Sequence, residues 1–408
     1  MSVDNHDLIA RYSTYPKPAI PVSPVLSWRS LGSGKTSVSS ILNVKNIRLA
    51  TSGRCAIALA LKALGVKDGD KVLLPAYHCT SMVDPVDWLG AKSTFYRIKP
   101  DTSVDFDSIE QLIDEKTRVL LITHYFGFPQ SSAKIRAFCD ANGLALIEDC
   151  AHAFFGSKDE RPIGGYGDFA IASSMKFFPI YDGGILASMN HSLTDIPTTS
   201  AGFLFEAKTA LNVIENALAY NRLKVLRPLI TWPLWLKDKI WSLIKSPGVD
   251  KKASTIGPAA SDGGYGFDPD WVSKSMSLAS DYVLKHTNTA RLVEQRRANY
   301  LAMYEALADE PGITPLYNCL PETVVPYVLP MLVDEPEVVF HELKSLGVPV
   351  LRFGEFLCDG VDETICPVSM DLSRRVFQFP CHQELNREEL DWMVNTIRNI
   401  LRNKKIKD

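Results

Sequence analysis

A lysine closes the short run Phe169-Ala-Ile-Ala-Ser-Ser-Met-Lys176, and its residue type suits covalent chemistry. An amine beside a sheet crevice condenses with an aldehyde to a Schiff base. Ser173, three residues earlier, offers a hydroxyl to a phosphate. Upstream, Ala145-Leu-Ile-Glu-Asp-Cys-Ala-His152 sets Asp149 at the end of another apolar run. In a parallel sheet a carboxylate there points into the ligand crevice. Further upstream, Thr51-Ser-Gly-Arg54 leads into the helical pattern Cys55 to Leu64. A helix start presents unpaired N–H groups and a favourable dipole to a phosphate. Gly53 allows close backbone approach, and Arg54 adds charge. Singly, each has a plainer reading: a surface lysine, an N-capping aspartate, an ordinary Ser-Gly helix start.

Together they are more specific. A phosphate cradle near residue 52, an acid near 149 and a lysine near 176 have the order and spacing of a pyridoxal 5′-phosphate (PLP) site. That cofactor needs a lysine for its aldehyde and an acid for its pyridine nitrogen. Asp149 would keep the nitrogen protonated, and Lys176 would move the substrate proton. No other lysine lies between residues 159 and 207.

The elements needed to hold these residues are legible. Strand patterns at Val72–Leu74, Ser93–Ile98, Val119–Thr123, Leu144–Ile147, Phe169–Ala172 and Gly184–Ser188 alternate, in the first part, with helical stretches at 53–64, 107–114 and 131–142. Alternation of this kind predicts an α/β fold with a mostly parallel sheet. A long charged helical pattern follows over 276–309. A strand at Pro326–Leu332, a helix at 335–346, a strand at 348–353 and a helix at 386–402 come next. Asn386 and Glu389 give the last helix a capping box. Three units are expected: an arm at 1–45 with Pro16, Pro18, Pro21 and Pro24, a large domain at 46–275, and a small C-terminal α+β domain at 276–408.

The stretch 190–275 fits neither pattern. Within it, residues 222–252 carry Trp232, Trp235 and Trp241 and eight Lys/Arg against two Asp. A basic, Trp-rich stretch suits peripheral contact with an anionic membrane surface. Packing on the body of the protein or on a partner subunit is the plainer alternative.

Composition narrows the classes. Charged residues are 22% and the net charge is −3, which speaks against a basic nucleic-acid binder and a highly charged disordered chain. The eight cysteines include no Cys-x-x-Cys pair, so no metal site is expected. Scattered thiols in a chain this long, with no signal-peptide pattern at the start, suit the cytoplasm.

The motifs resemble the DegT/DnrJ/StrS family of PLP-dependent sugar aminotransferases, in the fold-type I group. The matching phrases are Thr51-Ser-Gly-Arg-Cys-Ala-Ile-Ala-Leu-Ala-Leu61, Asp70-Lys-Val-Leu-Leu-Pro-Ala-Tyr77 and His124-Tyr-Phe-Gly127. Ile147-Glu-Asp-Cys-Ala-His152, Gly167-Asp168, Asp182-Gly-Gly184 and Phe379-Pro-Cys-His382 continue the series. The resemblance covers about 45–190 and 275–402. It implies that Lys176 is the Schiff-base lysine and Asp149 the partner of the pyridine nitrogen. It puts His152 near the ring hydroxyl, and Ser173, Ser52, Gly53 and Arg54 at the phosphate. Tyr77 or His78 would fall near the residue stacked on the ring. The resemblance would put His124 and His382 near the site, the plainer reading of each alone being a structural histidine. From its place after a strand, Arg352 would meet a substrate carboxylate or phosphate, or be a surface or ion-paired arginine.

Four features depart from the family pattern. The interval from Ser173 to Lys176 is three residues rather than five. Arg54 replaces a threonine. A Gly-x-Asn motif has no clear counterpart, the nearest text being Gly264-Tyr-Gly-Phe267. The stretch 190–275 is long. The resemblance implies transamination from an amino donor, glutamate, to a keto group on a nucleotide-linked sugar, by a homodimer. Rivals are a PLP enzyme acting on a lipid-linked or amino-acid substrate, and a non-catalytic scaffold or regulator. A sugar dehydratase of the family would carry histidine where this chain has Lys176.

Overall fold

A computed structural model describes residues 15–226, 267–358 and 360–404. Its main sheet has seven strands in the order β1-β9-β8-β5-β4-β2-β3. They are β1 (Asn46–Ala50), β2 (Lys71–Pro75), β3 (Lys92–Tyr96), β4 (Thr117–Thr123), β5 (Ala145–Asp149), β8 (Phe169–Ser173) and β9 (Gly184–Ser188). A two-stranded hairpin, β6 (Ser157–Lys158) and β7 (Arg161–Pro162), lies between β5 and β8. Strands β3, β2, β4, β5 and β8 run parallel, while β9 is antiparallel to both β8 and β1. Two reversals return β1 to the direction of β8. The end of β1 therefore shares an edge with the carboxyl ends of β4, β5 and β8.

Burial on both faces explains the nearly unbroken apolar strands: β5, β8 and β9 are buried along almost their whole length. Helix Gly53–Ala63 lies against β8 and β9. Its Ala56, Ala58 and Ala60 are fully buried, so small side chains let it sit close to the sheet. Gly184 is opposite both Ala50 and Ser173 in register. A Cβ at Gly184 would collide with the Ser52 carbonyl, so only glycine permits the Ser52–Gly53 turn to lie there. Gly127 has φ +109°, and a Cβ on it would come within 2.7 Å of the Val325 carbonyl. Glycine thus lets the His124–Gly127 turn pass against the C-terminal half.

The second sheet is antiparallel, β10 (Ile313–Pro315), β11 (Val328–Val333), β13 (Val376–Pro380) and β12 (Leu351–Arg352) in that spatial order. Helices Thr289–Leu307, Pro336–Ser345 and Arg387–Lys404 contribute to its core with Tyr300, Leu343 and Ile397. The expected capping box is present: Asn386 Oδ1 accepts from Glu389 N–H at 2.9 Å, and Glu389 accepts from Asn386 N–H at 2.9 Å.

Several elements differ from the sequence pattern. The 276–309 helix is two helices, Leu278–His286 and Thr289–Leu307. Thr287 is extended, and Asn288 caps the second helix by accepting from Arg291 N–H. The 107–114 helix is confined to Phe106–Glu110, and strand 348–353 to Leu351–Arg352. Strand β1, helix Thr80–Trp88 with Pro85 inside it, and helix Pro367–Arg375 were not legible. Residues 227–266, which hold all three tryptophans of the basic stretch, lie outside the described residues. Among the described residues no helix is long and apolar enough to cross a membrane.

Candidate active site

The shared carboxyl edge of the main sheet opens into a cleft of about 840 Å³, counting the space open to solvent. Three chain segments supply the polar residues anticipated above: Ser52–Arg54 after β1, Asp149 and His152 after β5, and Ser173 with Lys176 after β8. The sequence-predicted set, apart from Tyr77, meets here.

Ser52 caps helix Gly53–Ala63, its hydroxyl accepting from Cys55 N–H at 3.2 Å. Arg54 donates to Ser81 Oγ at 2.7 Å and pairs with Asp84 at 3.5 Å. Its charge is therefore held at the helix start rather than swinging in solvent. Asp149 is 5% exposed, and its Oδ1 accepts from Ala151 N–H at 2.8 Å. Burial raises its pKa above the ordinary carboxylate value, against the Ala151 hydrogen bond and the Lys176 charge. Lys176 ends a single 3₁₀ turn, Ser174–Lys176, directly after β8. Its Nζ lies 5.5 Å from the centre of the Tyr327 ring.

His152 is buried and stacked on Tyr327 at 4.7 Å, with the Phe353 edge at 4.8 Å. Burial, then the Lys176 charge, holds its pKa well below the usual imidazole value. Its ring is neutral at pH 7. Among the described residues Nδ1 has no hydrogen-bond partner although it is fully buried. An orphaned polar atom on a cleft wall marks a place where a ligand atom is expected.

Tyr77 does not line the cleft. It is fully buried behind it, stacked on Tyr125 at 5.3 Å and edge-on to Phe353 at 5.0 Å. His78 is also buried elsewhere: Nδ1–H donates to Ala76 O, Nε2 accepts from Cys358 N–H, and the ring stacks on Phe95. Cys79, two residues past Tyr77, is the cleft residue of this turn. Burial raises its thiol pKa, and the Lys176 charge opposes that. Phe353 and Tyr327 were not anticipated, because they come from 150 or more positions downstream and no local pattern marks them.

The other singled-out residues are structural. His124 donates through Nε2 to Glu148 at 3.1 Å and accepts from Gln130 N–H at Nδ1. Glu148 also accepts from the Ser132 hydroxyl and from Tyr166 and Gly167 N–H. Burial alone would raise this carboxylate, but the hydrogen bonds from His124, Gly167 N–H and Ser132 hold it below the ordinary value. His382 donates to Pro21 O at 3.0 Å. Arg352 pairs with Glu355 at 2.6 Å and Glu337 at 2.9 Å, the ion-pair alternative.

PLP fits this donor set. A helix start with a held arginine suits its phosphate, a buried carboxylate its ring nitrogen, the orphaned His152 nitrogen its ring oxygen, and the Lys176 amine its aldehyde.

Solved structures share the fold, which is that of the fold-type I PLP-dependent transferases. Helicobacter pylori PseC, an aminotransferase involved in the biosynthesis of pseudoaminic acid, superposes with a TM-score of 0.62. It does so over 95% of this chain and 99% of that one, at 16% identity. Residues 36–211 match the model of the DegT/DnrJ/EryC1/StrS aminotransferase family. A Vibrio cholerae GDP-perosamine synthase is 29% identical over 164 residues, 40% of this chain and 45% of that protein. A Saccharopolyspora spinosa dTDP-4-dehydro-2,3,6-trideoxy-D-glucose 4-aminotransferase is 32% identical over 145 residues, 35% and 38% of the two lengths. The chain thus spans less than half the length of these curated relatives.

Proposed function

We propose that the protein is a PLP-dependent aminotransferase that moves an amino group from glutamate to a keto group of a nucleotide-linked sugar. The observation that carries this is the meeting of Lys176, Asp149, His152 and the Ser52–Arg54 helix start on one cleft. The sugar nucleotides in the relatives' names support the acceptor class.

PLP, when bound, supplies an aldehyde that holds an amine and a ring that accepts the electron pair left when a Cα–H proton departs. The chain supplies the rest. Lys176 reaches the cleft from a short turn, and its freed amine takes the proton from substrate carbon and returns it. Asp149, a buried carboxylate on the cleft, would keep a proton on the ring nitrogen. His152, neutral, offers Nδ1 without adding charge. The apolar wall of Ile57, Met82, Ile171 and Phe353 limits water.

Purified protein mixed with PLP should gain a visible absorbance band that Lys176→Ala lacks and glutamate bleaches. If wild type gains no band, the reading is wrong and a non-catalytic role takes its place.

A homodimer belongs to the same proposal. Phe203 (83% exposed), Leu204, Leu278 and Tyr282 lie bare on two packed helices, Phe203–Ala219 and Leu278–His286. Asp182, on the cleft wall, accepts from Ser277 N–H at the start of the second helix, so this face adjoins the site. Apolar residues grouped this way are commonly covered by a partner. Sedimentation should give twice the chain mass, and Phe203→Asp with Leu278→Asp should give the monomer. A monomeric wild type overturns the dimer.

A further inference from the structure

Arg296, on helix Thr289–Leu307, is fully buried. Among the described residues its guanidinium has no carboxylate partner. It donates instead to uncharged oxygens: Nε to Gln383 Oε1 at 2.9 Å, Nη2 to Lys176 O at 2.8 Å, and Nη1 to Pro326 O and Tyr327 O at 3.1 Å each. Gln383, itself 2% exposed, donates through its amide to Phe177 O at 2.8 Å. The guanidinium also lies 4.4 Å from the centre of the Phe177 ring. Burying an arginine without a counter-ion is costly, and burial drags its pKa down to about 10.

What it holds is informative. Lys176 follows β8 after one 3₁₀ turn, closed by Phe177 N–H and Phe178 N–H on Ser174 O at 3.0 and 2.9 Å. So short a turn gives the lysine little chain of its own to fix its direction. The carbonyls of Lys176 and Phe177 are fixed from outside by Arg296 and Gln383. The same guanidinium fixes Tyr327, whose ring meets Lys176 Nζ and stacks on His152.

Resting on the aminotransferase reading, we propose that Arg296 and Gln383 form a positioning pair that clamps the Lys176–Phe177 carbonyls and aims the Lys176 amine into the cleft. Neither side chain lines the cleft, so neither touches the reacting atoms.

The test is the rate at which Lys176 is labelled by PLP with a borohydride quench, read by peptide mass spectrometry across pH 6–10. Melting midpoints are measured beside it. In labelling, the amine nitrogen bonds the aldehyde carbon, water leaves, and borohydride delivers hydride to the C=N bond. The variants are Arg296→Lys, which keeps charge but loses the planar fork, and Gln383→Glu. The second is isosteric, keeps an acceptor for Arg296 and gives it a carboxylate partner, but loses the donor to Phe177 O, so it is expected to fold where the first does not. Labelling should slow tenfold or more in Gln383→Glu with the melting midpoint nearly unchanged, and its pH dependence should shift. Labelling within twofold of wild type, or falling only in step with the melting midpoint, overturns the pair as a positioning device. A wild type that is never labelled at Lys176 overturns the cofactor reading first, and the clamp with it.

Discussion

Asp149→Asn should lower turnover by about 10²–10³-fold, the usual cost of removing one preorganised charged partner from a reacting centre, while leaving cofactor attachment to Lys176 intact. The substitution is narrow in what it changes. An asparagine Oδ1 still accepts from Ala151 N–H, so the turn after β5 is kept. The shape is unchanged in a residue that is 5% exposed. Only the negative charge beside the ring nitrogen is lost, and a neutral partner no longer favours the protonated ring. Burial already disfavours that charge in the protein without cofactor, since it raises the Asp149 pKa. Removing it should therefore raise the stability of the cofactor-free protein while activity collapses. Opposite signs for activity and stability mark a residue kept for chemistry rather than folding. The measurement is steady-state turnover with glutamate beside a urea titration of the cofactor-free protein. Full turnover in Asp149→Asn would remove Asp149 from the site.

The same contrast explains how much of the site was legible. Ser52, Gly53, Arg54, Asp149, His152, Ser173 and Lys176 each follow a strand or begin a helix in the main sheet, so local pattern places them. Parallel order then forces their ends to one edge. Tyr77 was misplaced because a turn after a strand does not say which of its side chains faces the cleft. Here Tyr77 turns into the aromatic cluster with Tyr125 and Phe353, and Cys79 faces the opening. Phe353 and Tyr327 reach the site only through the docking of the second sheet, a long-range contact that no local period encodes.

Elements show the same division. Buried strands such as β5 and β8 stand out as apolar runs. Strand β1, Asn46–Ala50, is only half-buried and carries Arg48, so it lacks both the run and a clean alternation. Helix Thr80–Trp88 contains Pro85, whose ordinary meaning is a break, yet the helix continues through it. The division at Thr287–Asn288 is a capping event, and Asn288 in a charged, helical-looking stretch does not announce it.

Stability of the cofactor-free protein should fall steeply on acidification from about pH 6.5 towards pH 4, by up to about 4 kcal/mol per pH unit, three protons at about 1.4 each. The groups are His78, His152 and His382, all buried. Burial lowers His78 to about 4 and His382 to about 3, and puts His152 well below the ordinary value. Nearby cations act the same way: Lys176 on His152, and Arg296 and Arg222 on His382. In the unfolded chain all three take up protons near pH 6.5. The native state refuses them until much lower pH. The unfolded state therefore binds more protons across that window, so stability rises with pH through it and is lost as pH falls. Asp149 and Asp182, raised by burial, bind protons in the native state and reduce the slope. Urea midpoints between pH 7.5 and 4.5 measure it. His382→Gln keeps a donor for Pro21 O and should flatten the slope by about one proton, ~1.4 kcal/mol per pH unit. An unchanged slope in that variant would show that His382 takes up its proton in the native state, leaving the loss to His78, His152 and the lowered carboxylates Glu148 and Asp168.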